Sequence, residues 1–212
     1  MVRQAHVVLA AVALAACGLS RPPVERVDYL LSATRDAPAA QTSKPVAIKV
    51  RPLRADPLYE RREFLYRVDG QRVLSDFYNE FAERPDAMIT SAVIGWLKSA
   101  RLFTAVVEPG VPADAPYILD GSVTALYGDL QDPRKPAAVM SIQFYVVRAG
   151  NTSMEVVLDR TLQQRVEVKA GTPQALAQGY NEALARILAE LERELAALEH
   201  ELEIVDGSPG DD

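Results

Sequence analysis

The chain has little of what catalysis usually needs: one cysteine, Cys17, two histidines, His6 and His200, and one tryptophan, Trp96, in 212 residues. A single thiol makes no intrachain disulfide and no thiolate metal cluster, so the core must hold the fold. The two histidines lie near opposite ends, which removes the commonest nucleophile-activating and metal-ligating group. Gly70, Gly95, Gly110, Gly121, Gly128 and Gly150 are isolated, and neither Gly-Lys-Ser/Thr nor Gly-x-Ser-x-Gly occurs, so phosphate loops and nucleophile elbows are excluded. A net charge of -6 and a pI near 5.1 leave no excess of Lys and Arg for nucleic acid. Carboxylates are plentiful, but a pair such as Asp120 with Asp129 is more simply read as solvated groups on a strand face and a turn. No catalytic residue, metal ligand or cofactor is expected, and an enzyme is the least favoured class.

Long apolar runs are missing too. Val7–Ala16 is uncharged and follows Arg3, yet ten helical residues rise only about 15 Å, half a bilayer core. The run reads as the h-region of a signal peptide, residues 1–16. Leu14-Ala15-Ala16-Cys17 resembles the bacterial lipobox. That resemblance implies cleavage between Ala16 and Cys17, diacylglycerol on the sulfur and an acyl chain such as palmitate on the new amino group. An ordinary secretory signal cut at an Ala-x-Ala site, with Cys17 a bystander, is the other reading.

Residues 17–26, with Pro22-Pro23, read as an extended tether. A single α/β domain is expected over 27–205, then a disordered acidic tail over 206–212. Strands are expected at Val27–Leu31 and Val46–Val50, with an unstructured loop over 32–44. Asp69-Gly70 between apolar runs predicts a type I′ hairpin. Arg61, Arg62, Arg67 and Arg72 around it read as a charged edge that blocks unwanted strand pairing.

Pro85-Asp86 opens a helix to about Arg101, with Ile89, Ala92, Val93, Trp96, Leu97 and Ala100 on one face. Trp96 reads as a core anchor. Tyr117–Tyr127, Ala138–Val147 and Met154–Lys169 alternate and predict a three-stranded antiparallel meander. Tyr117, Leu119, Val123, Ala125 and Tyr127 are expected on one face. Gly128–Pro136 is expected to be a mobile connection, and Asn151-Thr152-Ser153 reads as hairpin turn rather than glycan acceptor. Thr172-Pro173 caps a last helix running to Glu203. Its second half, Glu190–Glu203, has a leucine stripe with acidic neighbours, read equally as contact with a partner or a second copy or as a helix that frays in solvent. The fold class is therefore α/β in two layers: a mainly antiparallel sheet with two helices on one side.

The order of features resembles the auxiliary lipoproteins of ABC-type lipid transport systems, the PqiC-like family associated with MCE proteins. The likeness rests on the lipobox, Tyr29-Leu30-Leu31, the run Leu58–Arg67, Tyr78–Pro85, Trp96-Leu97, Leu102-Phe103, Tyr117–Gly121 and the terminal helix. It implies a non-catalytic adaptor on the periplasmic face of the outer membrane. Its partners would be an MCE-family protein and an inner-membrane ABC transporter. Gly18 after Cys17, in place of Asp, fits outer-membrane export under the enteric sorting rule. A carrier holding lipid between the helix layer and the sheet, or a structural lipoprotein supporting outer-membrane assembly, are the competing functions.

Overall fold

The computed structural model describes residues 25–40, 44–149 and 154–198. In chain order the elements are β1 (Val27–Tyr29), β2 (Lys44–Val50), β3 (Arg54–Ala55), β4 (Glu63–Asp69), β5 (Arg72–Phe81), α1 (Pro85–Ala100), β6 (Phe103–Val107), β7 (Tyr117–Asp129), β8 (Ala137–Ala149), β9 (Met154–Glu167) and α2 (Pro173–Ala197).

Strand β7 is the spine. One edge carries β8 in an antiparallel ladder along its whole length, and β8 in turn carries β9, which is the expected meander. The other edge is shared by three shorter strands in succession, all parallel to β7: β2 at Tyr117–Leu119, β3 at Ser122-Val123 and β4 at Gly128-Asp129. The longest ladders are antiparallel, as expected. The parallel pairings, including β1 on β5 and β2 on β6, join residues far apart in sequence and leave no local signature.

Alternation on β7 changes phase midway. Val123 and Ala125 oppose Ile142 and Ser141, so Thr124 is an extra residue, and beyond this bulge the inward set is Leu126 and Gly128. Ala125 and Tyr127, expected inside with Leu119, are half-buried. The expected type I′ turn is also revised: Gly70 has positive φ but Gln71 does not, whereas type I′ needs both central residues left-handed.

Helix α1 starts on Pro85 and ends on Arg101 at φ 55°, whose N–H bonds to Leu97 O. Met88, Ile89, Val93, Trp96, Leu97 and Ala100 are buried. Helix α2 is capped by Thr172, which accepts from Ala175 N, and lies on β8 and β9. It comes closest at Gly179, where a Cβ would stand 2.7 Å from Ala138 Cβ and Val168 Cγ1. Gly95 in α1 is the opposite case, with nothing within 4 Å of an added Cβ. Gly95→Ala is expected to stabilise by about 0.5–1 kcal/mol, the helix-propensity difference. Gly179→Ala should instead cost about 1–3 kcal/mol through overpacking. Denaturant midpoints moving in opposite directions would bear this out; Gly179→Ala gaining stability would show that α2 can lift off the sheet freely.

Three further expectations change. Residues 32–40 are fixed, not unstructured: Ser32 N donates to Asn181 Oδ1, Ala40 N to Ala100 O, and Arg35 is held by Glu192. In the 128–136 connection, Gly128 and Asp129 belong to β7, Leu130 packs on the core, and Leu130 N bonds to Arg67 O. In the leucine stripe of α2, Leu191 and Leu195 are each 1% exposed and are not free to meet a second copy, while Leu198 is half-buried against the core. Glu199–Glu203, the expected tail and the 150–153 turn lie outside the described residues.

Candidate functional site

Ala16 and Cys17, the expected cleavage and acylation positions, lie outside the described residues. The two carboxylates named above are not brought together. Asp120 sits toward the start of β7 with Arg51 and Arg54, and Asp129 ends the strand paired with Arg165. Nine residues of strand put about 30 Å between them. Burial pushes the Asp129 carboxyl up, but hydrogen bonds from Gln131 and Arg165 outweigh it and hold the group below its ordinary range. Among the described residues no three His, Cys, Asp or Glu side chains gather as a metal site, and no helix is long and apolar enough to cross a membrane.

Three of the four arginines around the β4–β5 hairpin, Arg62, Arg67 and Arg72, serve structure. Arg62 donates to Phe81 O, Asp28 and Glu80, tying β1, β4 and β5 together. Arg67 donates to Gly70 O across the turn, and Arg72 pairs with Asp69. Trp96 is an anchor as expected, 7% exposed, and its indole N–H donates to Glu192 at 2.7 Å.

Two further surfaces stand out among the described residues. The first is a knuckle on β5. Glu63 opposes Glu80 while Leu65 opposes Ser75, so two steps on β4 match five on β5 and the extra chain bulges outward. The Asp76 carboxylate organises this bulge. It accepts from Tyr78 N at 2.8 Å, Asn79 N at 3.1 Å, Asn79 Nδ2 at 2.9 Å and Tyr66 Oη at 2.6 Å. Burial pushes the carboxyl up, but these bonds outweigh it and keep the group ionised below its usual range. Burial, then the charge it faces, pushes the Tyr66 hydroxyl far up, so the proton stays on tyrosine. With the backbone so pinned, Phe77 is 67% exposed and Tyr78 42%. Their rings meet edge to face, centroids 5.2 Å apart. Arg26 lies 5.0 Å over the Phe77 ring and donates Nε to Phe77 O.

The second surface is an open groove of about 470 Å³ between residues 30–33 and α1. Leu31, Met88 and Trp96 line it from the core side, Ala92 and Gly95 along the helix, and Leu30 stands on its lip, 71% exposed. The missing side chain of Gly95 is part of the space. In the core behind it, Phe64, Phe144, Tyr180 and Leu184 are each exposed by 1% or less.

Sequence reasoning missed both surfaces. Phe77-Tyr78 carried a signal: two bulky aromatics in succession cannot both face the core of a regular strand, and Asp76 with Asn79 marks side chains that bond local backbone. The groove carried none beyond an isolated glycine in a helix, because its other wall comes from a segment some sixty residues away.

The model of the family described as "ABC-type transport auxiliary lipoprotein component" matches residues 29–192. No curated protein matches the sequence. Among solved structures, protein XCC0632 from Xanthomonas campestris is similar at TM-score 0.69 and 16% identity, covering 84% of this chain and 98% of that one. An uncharacterised protein is similar at TM-score 0.63 and 14% identity, covering 81% and 99%. At these identities the structures show the fold alone. The hypothetical protein CT253 from Chlamydia trachomatis reaches TM-score 0.47 at 10% identity, covering 73% and 99%.

Proposed function

The chain belongs to the ABC-type transport auxiliary lipoprotein components, and from that premise we propose that it is a non-catalytic adaptor of a lipid transport system. In this reading acylated Cys17 holds it on the periplasmic face of the outer membrane. The α1 groove docks an apolar segment of an MCE-family protein, which links the adaptor to an inner-membrane ABC transporter. The observation that carries the reading is the groove: apolar, open, and walled by a helix whose other face is locked into the core. Apolar surface kept open on a rigid frame is what a docked apolar segment needs.

Gly95 makes the test clean. An added Cβ there meets no atom within 4 Å, so Gly95→Glu is chosen to put a charge at the groove wall from a position whose Cβ has open space. Affinity purification of the full chain from crosslinked membranes is expected to recover MCE and ABC components, and Gly95→Glu to reduce the yield at least tenfold with the melting temperature kept. Recovery of neither component by the unaltered chain sinks the reading. A lipid in the groove, seen by native mass spectrometry and lost in Gly95→Glu while protein partners are retained, would favour the carrier instead.

A further inference from the structure

We infer that the Phe77–Tyr78 knuckle enters the interfacial layer of the lipid surface to which the chain is anchored, and so orients the domain on the membrane. This rests on the acylated Cys17 of the proposed function but uses none of the residues that line the partner groove.

Position comes first. The chain joins the sheet at β1, where Val27 pairs with Asn79 inside the bulge, and Arg26 stacks on Phe77. Arg26 is nine residue steps beyond Cys17, a reach of about 30 Å when extended. The knuckle is thus where an anchor at Cys17 would pull, and the short leash gives it a high local concentration of lipid.

Chemistry comes second. A phenyl ring, a phenol and a guanidinium over the phenyl ring form the set that favours the boundary between headgroups and acyl chains. The backbone argues against a strand-adding protein partner at this edge. Such a partner needs regularly spaced N–H and C=O groups, but β1 covers only Asn79–Phe81, and Asp76 has taken the N–H groups of Tyr78 and Asn79. What the edge offers is side chains. They are also held in place from behind: Tyr66, Asp76, Asn79 and Tyr29 form one hydrogen-bonded chain, so little order is lost on insertion.

The test uses the full chain purified from membranes and reconstituted into phosphatidylethanolamine–phosphatidylglycerol vesicles, with or without lipid brominated high on the acyl chain. Trp96 is the only native tryptophan and is buried behind the groove, so its emission is expected to be unchanged by bromine. Phe77→Trp adds an emission that should fall at least twofold in brominated vesicles. Intact mass of the same sample separates the two premises. No quenching with Cys17 acylated overturns the knuckle inference alone. Quenching with Cys17 unmodified supports the knuckle and sinks the anchor. No quenching with Cys17 unmodified sinks both. Shielding of Phe77→Trp in native membranes but not in protein-free vesicles would assign the knuckle to a protein and overturn the lipid surface.

Discussion

Glu192→Ala is expected to lower the unfolding free energy by about 3 kcal/mol or more, read from urea denaturation at pH 7. Arg35 bonds Glu192 through both Nε at 2.8 Å and Nη2 at 2.7 Å, with side chains only 5% and 19% exposed. Trp96 of α1 donates to the same carboxylate. The clasp joins the 32–40 segment, α1 and α2 at one carboxylate, beside the bonds from Ser32 N to Asn181 and from Ala40 N to Ala100 O. Removing the carboxylate leaves a guanidinium nearly out of water with only the carbonyls of Ala37 and Pro38, and an indole N–H without its acceptor. The cost is that of the stranded groups more than of the lost attraction. Arg35→Met with Glu192→Gln should therefore recover much of it, since the amide oxygen still accepts from Trp96 and no charge is buried. A double variant as unstable as Glu192→Ala would show that the ion pair itself, and not the stranded charge, sets the cost.

The clasp also has a pH signature. The hydrogen bonds from Arg35 hold the Glu192 carboxyl below its ordinary value of 4.5. A folded-state pKa below the unfolded one means the unfolded chain binds the proton first. The contribution is complete above about pH 4.5 and is lost as pH falls through the folded value. Glu192→Gln should then show a shallower loss of stability on acidification. An equally steep loss would assign the acid sensitivity to Asp76 and Asp129, which are also held low.

Tyr180→Ala is expected to cost about 3–5 kcal/mol. Tyr180 is 1% exposed and closes a four-ring cluster. It meets Phe64 edge to face at 5.5 Å and Phe81 at 5.8 Å, Phe64 meets Phe81 at 4.5 Å, and Tyr29 meets Phe64 at 5.1 Å. These rings come from α2, β4, β5 and β1, so the cluster is what fastens the first strand to the last helix. Truncation empties a space that the rigid sheet cannot close. Tyr180→Leu, which refills part of that volume, should cost well under half as much when both variants are compared by guanidinium titration. Equal costs for the two variants would mean that the lost hydroxyl and ring contacts outweigh the cavity.

Much of the fold was legible because it is written in neighbouring residues. Pro85 and Thr172-Pro173 mark helix starts through the chemistry of a missing or capped N–H. The apolar spacing of α1 follows from one element having one buried face, whereas β8 is buried at every position from Ala137 to Ile142 and alternates only beyond. The long α2 stripe shows the limit of that reasoning: spacing identified Leu191 and Leu195 as one face but not what covers it. The cover is the chain's own body, fastened through Arg35, which lies 157 residues away. The phase change on β7 was hidden for a related reason, since whether Thr124 bulges depends on the register of β8 across from it.

From the sequence alone came the element types and caps, the absence of metal-site and nucleotide-loop motifs, and the expectation that Cys17 carries the anchor. These follow from composition, periodicity and short motifs. Only the tertiary structure decided which strands share the edge of β7, that residues 32–40 are clasped to α2, that a groove opens beside Gly95, and that Phe77 and Tyr78 stand outward. Each of these depends on pairings between distant segments, and such pairings are selected by the packing of the whole core rather than by any stretch of chain within it.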